Sequence, residues 1–521
     1  MGMKIIFGIE ALEGAKSGIR EAIDYARSLK DCRYADLRVG LVETRTASSE
    51  NGNPKIARED VHSSFGVRVI AGSPQTEAWG YYAQPLGKAE LGGRALWKTL
   101  RQGIDRAYQR AMVSSHRKQA LRELAPALSP VRLAPVEISK DMVPARFEED
   151  PRRIPIKEVL SEAINITRQA KSVSPEMRFA FLMMATGLTR ELFFSTEGAE
   201  LDQAYALTNA TLLVVAQKGS AIPESFIDHI GSHGGWEAVR GKNVYNRSFL
   251  DFALERARDT AELAGAEFLP STEKPVTVVT EPHFNTLLVH EIIGHPTEAD
   301  RALKMETAYA GRSWLLRRLD DNEFGRQVAS PLITAFSDPT LEGYGNYKYD
   351  AEGVPGRRVM LIEKGILRGF MNSRETAAIL AQEPNGSMRA TACHYVPLVR
   401  MTNTVIAPGD RNPQDILSEV EEGYYIVNHR IPSISESREN FRMSAQKVYK
   451  IENGRLTRLY RGGGITSDSR EFLMSIDAVG NDLVVLPIPN CGKGQPMQVM
   501  RVGNGGPTLR GKARLTGEYT R

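Results

Sequence analysis

The sequence predicts an α+β fold: an N-terminal antiparallel sheet with helices, followed by a β-rich C-terminal domain. Three observations carry this. Residues 15–30 place Ile19, Ala22, Ile23, Ala26 and Leu29 at three- and four-residue spacing, as an amphipathic helix does. Strands then run one after another before the next helix, instead of alternating with helices. From Arg357 onward the chain reads almost entirely as short strands. At 521 residues the chain is too long for one core. We therefore expect an α+β domain over 1–124, a linker and central α/β segment over 125–270, and a β-rich domain over 271–521.

Taken in order, Tyr34–Val42 alternates as a strand, Glu50-Asn51-Gly52-Asn53 is a turn signal, and Phe65–Ile70 and Trp79–Ala83 are further strands. A long helix runs from about Leu86 to Leu124. Six prolines mark 125–155 as an extended crossing segment. A helix follows at 156–171, then short strands at Phe179–Ala185, Leu192–Ser195 and Ala206–Ala216, and an amphipathic helix at 248–265. The β-branched run Pro275–Thr280 leads into a helix that opens at Pro282, a favoured first-turn residue, and buries Phe284, Leu287, Leu288 and Ile292. Residues 296–356 read as loop. Strands are expected at Arg357–Glu363, Ile366–Asn372, Leu398–Ile406, Tyr424–Val427, Lys447–Ile451, Arg455–Gly463, Phe472–Val479 and Asp482–Pro487, with a hairpin turn at Glu363-Lys364-Gly365.

Composition excludes several classes. A net charge of +4 is small for this length and implies no nucleic-acid partner. Three cysteines, Cys32, Cys393 and Cys491, form no disulfide framework and point to a reducing, cytoplasmic setting. The N-terminal apolar run is too short for a signal peptide, and no 18-residue apolar window marks a membrane span.

The segment Val289-His290-Glu291-Ile292-Ile293-Gly294-His295-Pro296 carries the chemistry. Two imidazoles are metal ligands by type, and a carboxylate beside the first is a proton shuttle. In the common H-E-x-x-H motif the histidines lie four apart on one helix face. Here they lie five apart, which at about 100° per residue separates them by roughly 140°. The helix is therefore expected to end between them. Gly294 favours termination and Pro296 cannot continue the helix.

A catalytic zinc takes three protein ligands and leaves a fourth position for water. Glu298, Asp300, Cys393, His394 and Cys491 are the candidates for the third. Glu298 and Asp300 lie just past the motif. Cys491 lies in a polar, glycine-rich turn where Lys493 would help keep a thiolate ionised, which tilts the choice toward it without closing it.

The motif and its flanks resemble those of the TldD/PmbA family, often labelled modulators of DNA gyrase. Phe65-Gly66-Val67-Arg68-Val69-Ile70 with Trp79-Gly80-Tyr81 is similar to the family's first domain. Asn346–Gly353, Ile362–Leu367, Asp477–Asp482, Cys491–Gln495 and Gly505–Leu509 resemble its later signatures. Of the family's two branches, the metal-bearing TldD type is the one that keeps His290, Glu291, His295 and Cys491. The resemblance implies a metallopeptidase for small unfolded peptides, one Zn(2+) held by His290, His295 and Cys491, a barrel-like C-terminal β domain carrying that site, and a partnership with a second family subunit, as homo- or heterodimer. Segments 125–155 and 296–350 are longer than the family needs.

In such a site Glu291 is the general base. The oxyanion needs a donor besides the metal, and Tyr347, Tyr349 and backbone amides around Gly464 are candidates. An extended peptide is expected to pair with an exposed strand edge near Gly462-Gly463-Gly464-Ile465, where glycines permit close approach. The alternatives are a non-proteolytic regulatory protein of the gyrase-modulator type and an amide hydrolase acting in peptide natural-product maturation. An intact Glu291 speaks against a purely structural metal site.

Overall fold

In the computed structural model, which describes residues 8–121, 130–319 and 321–517, the expected turn at Asn51-Gly52 joins two strands of 19 residues each. Both turn residues have positive φ, 50° and 81°, as a two-residue hairpin requires. The N-terminal elements are α1 (Lys16–Ser28), β1 (Cys32–Glu50), β2 (Asn53–Ala71), β3 (Ala78–Leu86), α2 (Gly93–Leu121), β4 (Lys140–Val143), α3 (Ile156–Lys171), β5 (Met177–Ser195), β6 (Glu200–Ala216), β7 (Glu224–His233) and α4 (Phe249–Leu263). The long helix starts at Gly93 and not at Leu86, because β3 claims the residues up to Leu86. Its expected last turn, 122–124, lies outside the described residues.

These strands form one sheet in the order β3-β2-β1-β5-β6-β4, with β7 also paired to β6. One expectation changes. The strands at 179–185 and 192–195 are one, β5, because β1 and β6 flank it throughout and bridge its polar middle. Within residues 125–270, β4 to β7 pair into the sheet begun by β1 to β3. Leu37, Val39 and Leu41 of β1 share a core with α1 and α2, and Ala47, two-residue steps further along the same face, joins α3 and α4 in a second core. All four helices therefore cover one face. The other face receives the rest of the chain: Arg68 bonds Asp36 beside it and reaches Glu352 at 3.0 Å.

The C-terminal elements begin with β8 (Glu267–Phe268), β9 (Val276–Thr280), α5 (Pro282–Val289), α6 (Ala299–Ala302), β10 (Leu316–Arg318), β11 (Asp321–Asn322) and β12 (Ala335–Ser337). Next come β13 (Val359–Glu363), β14 (Ile366–Leu367), α7 (Arg374–Leu380), β15 (Met388–Arg389), β16 (Leu398–Val399), β17 (Asn403–Ile406) and α8 (Pro413–Ser418). The last are β18 (Glu422–Ile434), β19 (Asn440–Glu452), β20 (Arg455–Arg461), β21 (Gly463–Asp468), α9 (Ser469–Met474), β22 (Ala478–Val479), β23 (Val484–Lys493), β24 (Gln498–Gly506) and β25 (Leu509–Gly517).

Strands β18, β9, β25, β21 and β19 pair in that order, and β19 pairs back to β18. The ring is a five-stranded barrel, as the resemblance implied. A second sheet runs β14-β13-β12-β17-β24-β23. One core joins them: Phe284 and Leu288 of α5 share it with Ile426, Met443 and Ile465 of the barrel and Ile406 and Val502 of the second sheet. The strand expected at Phe472–Val479 keeps only Ala478–Val479 as strand β22; its first three residues close helix α9, which is capped by the Asp468 carboxylate accepting from the Glu471 amide. No described helix is long and apolar enough to cross a membrane.

Candidate metal centre

Helix α5 opens as expected. Glu281 caps it by accepting from the His283 and Phe284 amides, and Pro282 occupies the first turn. The expected stop between the histidines does not occur. The helix widens into one π turn over His290–Gly294, and the His295 amide donates to the His290 carbonyl five residues back. A π turn superposes residues i and i+5 where an α-helix would not. His295 then opens a short 3-10 turn with Pro296 inside it. Gly294 keeps right-handed helical angles, φ −58° and ψ −63°, so it is not a terminator. Its role is clearance: a Cβ there would lie 2.1 Å from the Met401 sulfur.

The two rings meet edge to face with centroids 4.6 Å apart. Cys491, on β23, brings its sulfur to 3.6 Å from His295 Nε2. The ligand atoms of His290, His295 and Cys491 all lie within 4.8 Å of one another. All three residues are 3% exposed. Tetrahedral zinc with bonds of about 2.0–2.3 Å spaces its ligand atoms by roughly 3.3–3.8 Å, and the Cys491–His295 separation of 3.6 Å lies in that range.

The surroundings fit a metal as well. His290 Nδ1 hydrogen-bonds Asn504 Oδ1 at 3.0 Å, and His295 Nδ1 hydrogen-bonds Glu298 Oε2 at 2.9 Å. Each Nδ1 proton is thus fixed by an acceptor, leaving Nε2 as the ligand atom. Asn504 is oriented by its amide donating to Thr404 O at 3.2 Å. Glu298 also accepts from Arg301 Nε at 2.9 Å and Lys493 Nζ at 3.2 Å. Lys493 is fully buried and donates further to Asp300 at 2.6 Å and Val399 O at 2.7 Å. Glu298 and Asp300, considered above as ligands, thus form the layer behind His295. Lys493 serves that layer and not the thiolate.

Charge follows the same plan. Burial raises the Cys491 thiol, but His290, Arg400 and His295 outweigh it and hold the sulfur well below the usual thiol range. Burial opposes a charge on His290, yet the Cys491 sulfur raises that imidazole to about 9. These neighbours favour the thiolate, the form of the sulfur that binds a metal. Burial, followed by the Arg438 charge, lowers His295 toward the neutral form that coordinates. Arg400 donates to the Cys491 carbonyl and, at 3.2 Å, to that of Gln498, pinning the strand that carries the sulfur.

Glu291, 8% exposed, sits beside the trio and pairs with Arg438. Burial works against its charge, but Arg438, His290 and His295 keep its carboxyl below the ordinary range.

Other sequence candidates lie elsewhere. Cys393 packs against Gly40 and Gly66 of the N-terminal sheet, and burial pushes its thiol up. His394 follows it on that surface and lines a cavity of about 150 Å³ with Glu191 and His62. The Tyr347 hydroxyl donates to Gly386 O at 2.6 Å and that of Tyr349 to Asp141 at 2.9 Å. The strand holding Gly463, Gly464 and Ile465 is no free edge: β21 pairs with β19 on one side and β25 on the other. Barrel closure uses the backbone groups that a peptide would need. Sequence reasoning missed Asn504 and Arg438. Asn504 carries a weak signal, being set between Gly503 and Gly505; Arg438 carries none.

Residues 272–515 match the model of the PmbA/TldA metallopeptidase C-terminal domain. The chain is 26% identical over 490 residues to a protein of Methanothermobacter thermautotrophicus named metalloprotease, covering 93% of this chain and 95% of that one. It is also 26% identical to the zinc metalloprotease TldD homolog of Saccharolobus solfataricus, over 70% of this chain and 76% of the relative. Its fold matches the crystal structure of TldE from Thermococcus kodakarensis with a TM-score of 0.68 at 17% identity, covering 96% and 100% of the two chains.

Proposed function

We propose that the chain is a member of the TldD/PmbA family, as its C-terminal match and its relatives support, and that it is a zinc-dependent peptidase hydrolysing short or unfolded peptides, with one zinc per chain on His290, His295 and Cys491. One observation carries the reading. Two imidazoles with satisfied Nδ1 atoms turn Nε2 toward a buried thiolate, and a carboxylate stands beside them. A structural zinc site would be closed by a fourth ligand and would have no use for that carboxylate.

Zinc held there supplies Lewis acidity, lowering the pKa of water toward about 7 and polarising the scissile carbonyl. Glu291, kept ionised by Arg438, accepts a proton from the attacking water. It later delivers that proton to the departing amine nitrogen. Asn504 and Glu298 hold the imidazoles in the tautomer that leaves Nε2 free throughout. The trio's 3% exposure favours thin, extended substrates over folded ones. With β21 closed on both sides, β23 becomes the candidate docking edge: it ends the second sheet and carries Cys491. A second family subunit enclosing this face completes the reading.

Digestion of a peptide library by the zinc-loaded chain tests it, with Glu291→Gln as control. Cleavage by wild type and none by the variant is the expected result. Equal activity, or none from either, overturns the reading. A single protein offered folded and unfolded tests access: equal rates would defeat the enclosed site.

A further inference from the structure

The centre holds one cationic group that the reaction as described uses only to keep Glu291 charged. Arg438 lies in the turn between β18 and β19 and is 3% exposed. Its backbone sits at φ 64°, a conformation non-glycine residues rarely adopt and that tends to mark functional sites. It is held there from both ends: its amide donates to Ser435 O at 3.0 Å, and its carbonyl accepts from the Ser469 hydroxyl at 2.7 Å. The guanidinium donates to Glu291 Oε2, to Ala310 O at 3.1 Å and, at the long distance of 3.5 Å, to Tyr309 O. A guanidinium has five N–H donors, so these three acceptors leave it in surplus. Tyr309 and Ala310 themselves have positive φ, 55° each, so the segment that meets Arg438 is also unusual backbone.

We propose that Arg438 is the electrophilic partner of the peptidase reaction, donating an N–H to the carbonyl oxygen of the scissile bond as the tetrahedral intermediate forms. The inference rests on the peptidase reading. In the first step a water proton passes to Glu291, the water oxygen bonds to the carbonyl carbon, and the π pair moves to the carbonyl oxygen. Protonation removes the negative charge that faced Arg438. The guanidinium therefore loses its counter-ion in the same step that creates an oxyanion within the site. A buried unpaired cation is costly, so the two changes favour each other. In the second step the C–N bond breaks, the oxygen's pair reforms the carbonyl, and Glu291 returns its proton to the amine. Arg438 then re-pairs with the carboxylate. This also explains why the donor is arginine: its charge does not titrate, so only the carboxylate changes state.

The experiment compares wild type, Arg438→Met, Arg438→Lys and Glu291→Gln in zinc content, in kcat and KM on one peptide, and in calorimetric affinity for a phosphinic peptide that mimics the tetrahedral intermediate. Arg438→Met is expected to keep its zinc and to lose about 10²–10³-fold in kcat, the usual effect of one oxyanion donor. KM should move little, phosphinate affinity should fall in step with kcat, and added methylguanidine should restore part of the rate. Arg438→Lys should fall between. Normal kcat in Arg438→Met with an inactive Glu291→Gln overturns this inference and leaves the peptidase reading standing. Unchanged phosphinate affinity, or zinc loss in both Arg438 variants, assigns the residue to holding the site and also overturns it. No cleavage by wild type refutes both.

Discussion

The amide of His295 bonds the carbonyl of His290 across one widened turn, and this places two side chains five residues apart over the same point. An α-helix would send them to different faces. The centre therefore depends on a local departure from helical geometry, and the residues that permit the departure should matter as much as the ligands.

Gly294 is the first of these. A Cβ at 294 would press on Met401, whose sulfur also touches the Asn504 amide behind His290. Gly294→Ala should cost about 1–3 kcal/mol by overpacking and weaken zinc binding. Met401→Ala in the same chain should recover much of both, as read by denaturant melts and zinc titration. No recovery in the double variant would show that backbone strain, not the contact, is responsible.

The acceptors behind the imidazoles give a second expectation. Asn504→Leu and Glu298→Gln leave all three ligand atoms in place. Each should weaken zinc affinity by about 10–100-fold, the range for such partners. Competition with a chromophoric chelator reads this directly, and wild-type affinity in both variants would remove them from the site.

Cys491→Ala removes the thiolate itself. Its zinc content should fall well below one per chain, while the barrel and the α1–α4 layer keep their far-ultraviolet circular dichroism. Full zinc retention would send the third ligand elsewhere.

The last expectation concerns the joint between the two halves. Asp228 of β7 is buried between Arg256 of α4, at 2.6 Å, and His283 of α5, at 3.2 Å, with His429 stacked on His283. Burial opposes its charge, but His283 and Arg256 hold the carboxyl well below 3.8. The folded value lies under the unfolded one, so this stabilisation is full above about pH 4 and fades as pH falls through the folded value. Asp228→Ala leaves Arg256 without that carboxylate and should lower stability by about 3–5 kcal/mol. It should also flatten the acid limb of the unfolding curve, and an unchanged limb would mean that other carboxylates set it.

Much of the architecture was legible because it is local. Residues 156–171 form a helix as their spacing predicts, and Asn51-Gly52 turns the hairpin as its chemistry requires. Failures came where distant partners decide. The polar stretch in the middle of β5 looks like a break until strands on both sides satisfy its backbone. The glycines at 463 and 464 look like an exposed edge until the barrel closes over them. At 468–474 the signal was present and misread: Asp468 followed by Glu471 is a helix start. In the site, the histidines and Glu291 stood in one short segment, whereas Arg438 is 147 positions from Glu291 and nothing local announces it.

The spacing of the centre along the chain fixes when it can exist during synthesis. Cys491 follows His295 by 196 positions, and Asn504 follows His290 by 214. A nascent chain displays both imidazoles long before the ribosome has made the sulfur or the amide that complete their setting. Completion of the centre is thus deferred until β23 and β24 have been made, and a polypeptide released before β23 would lack it.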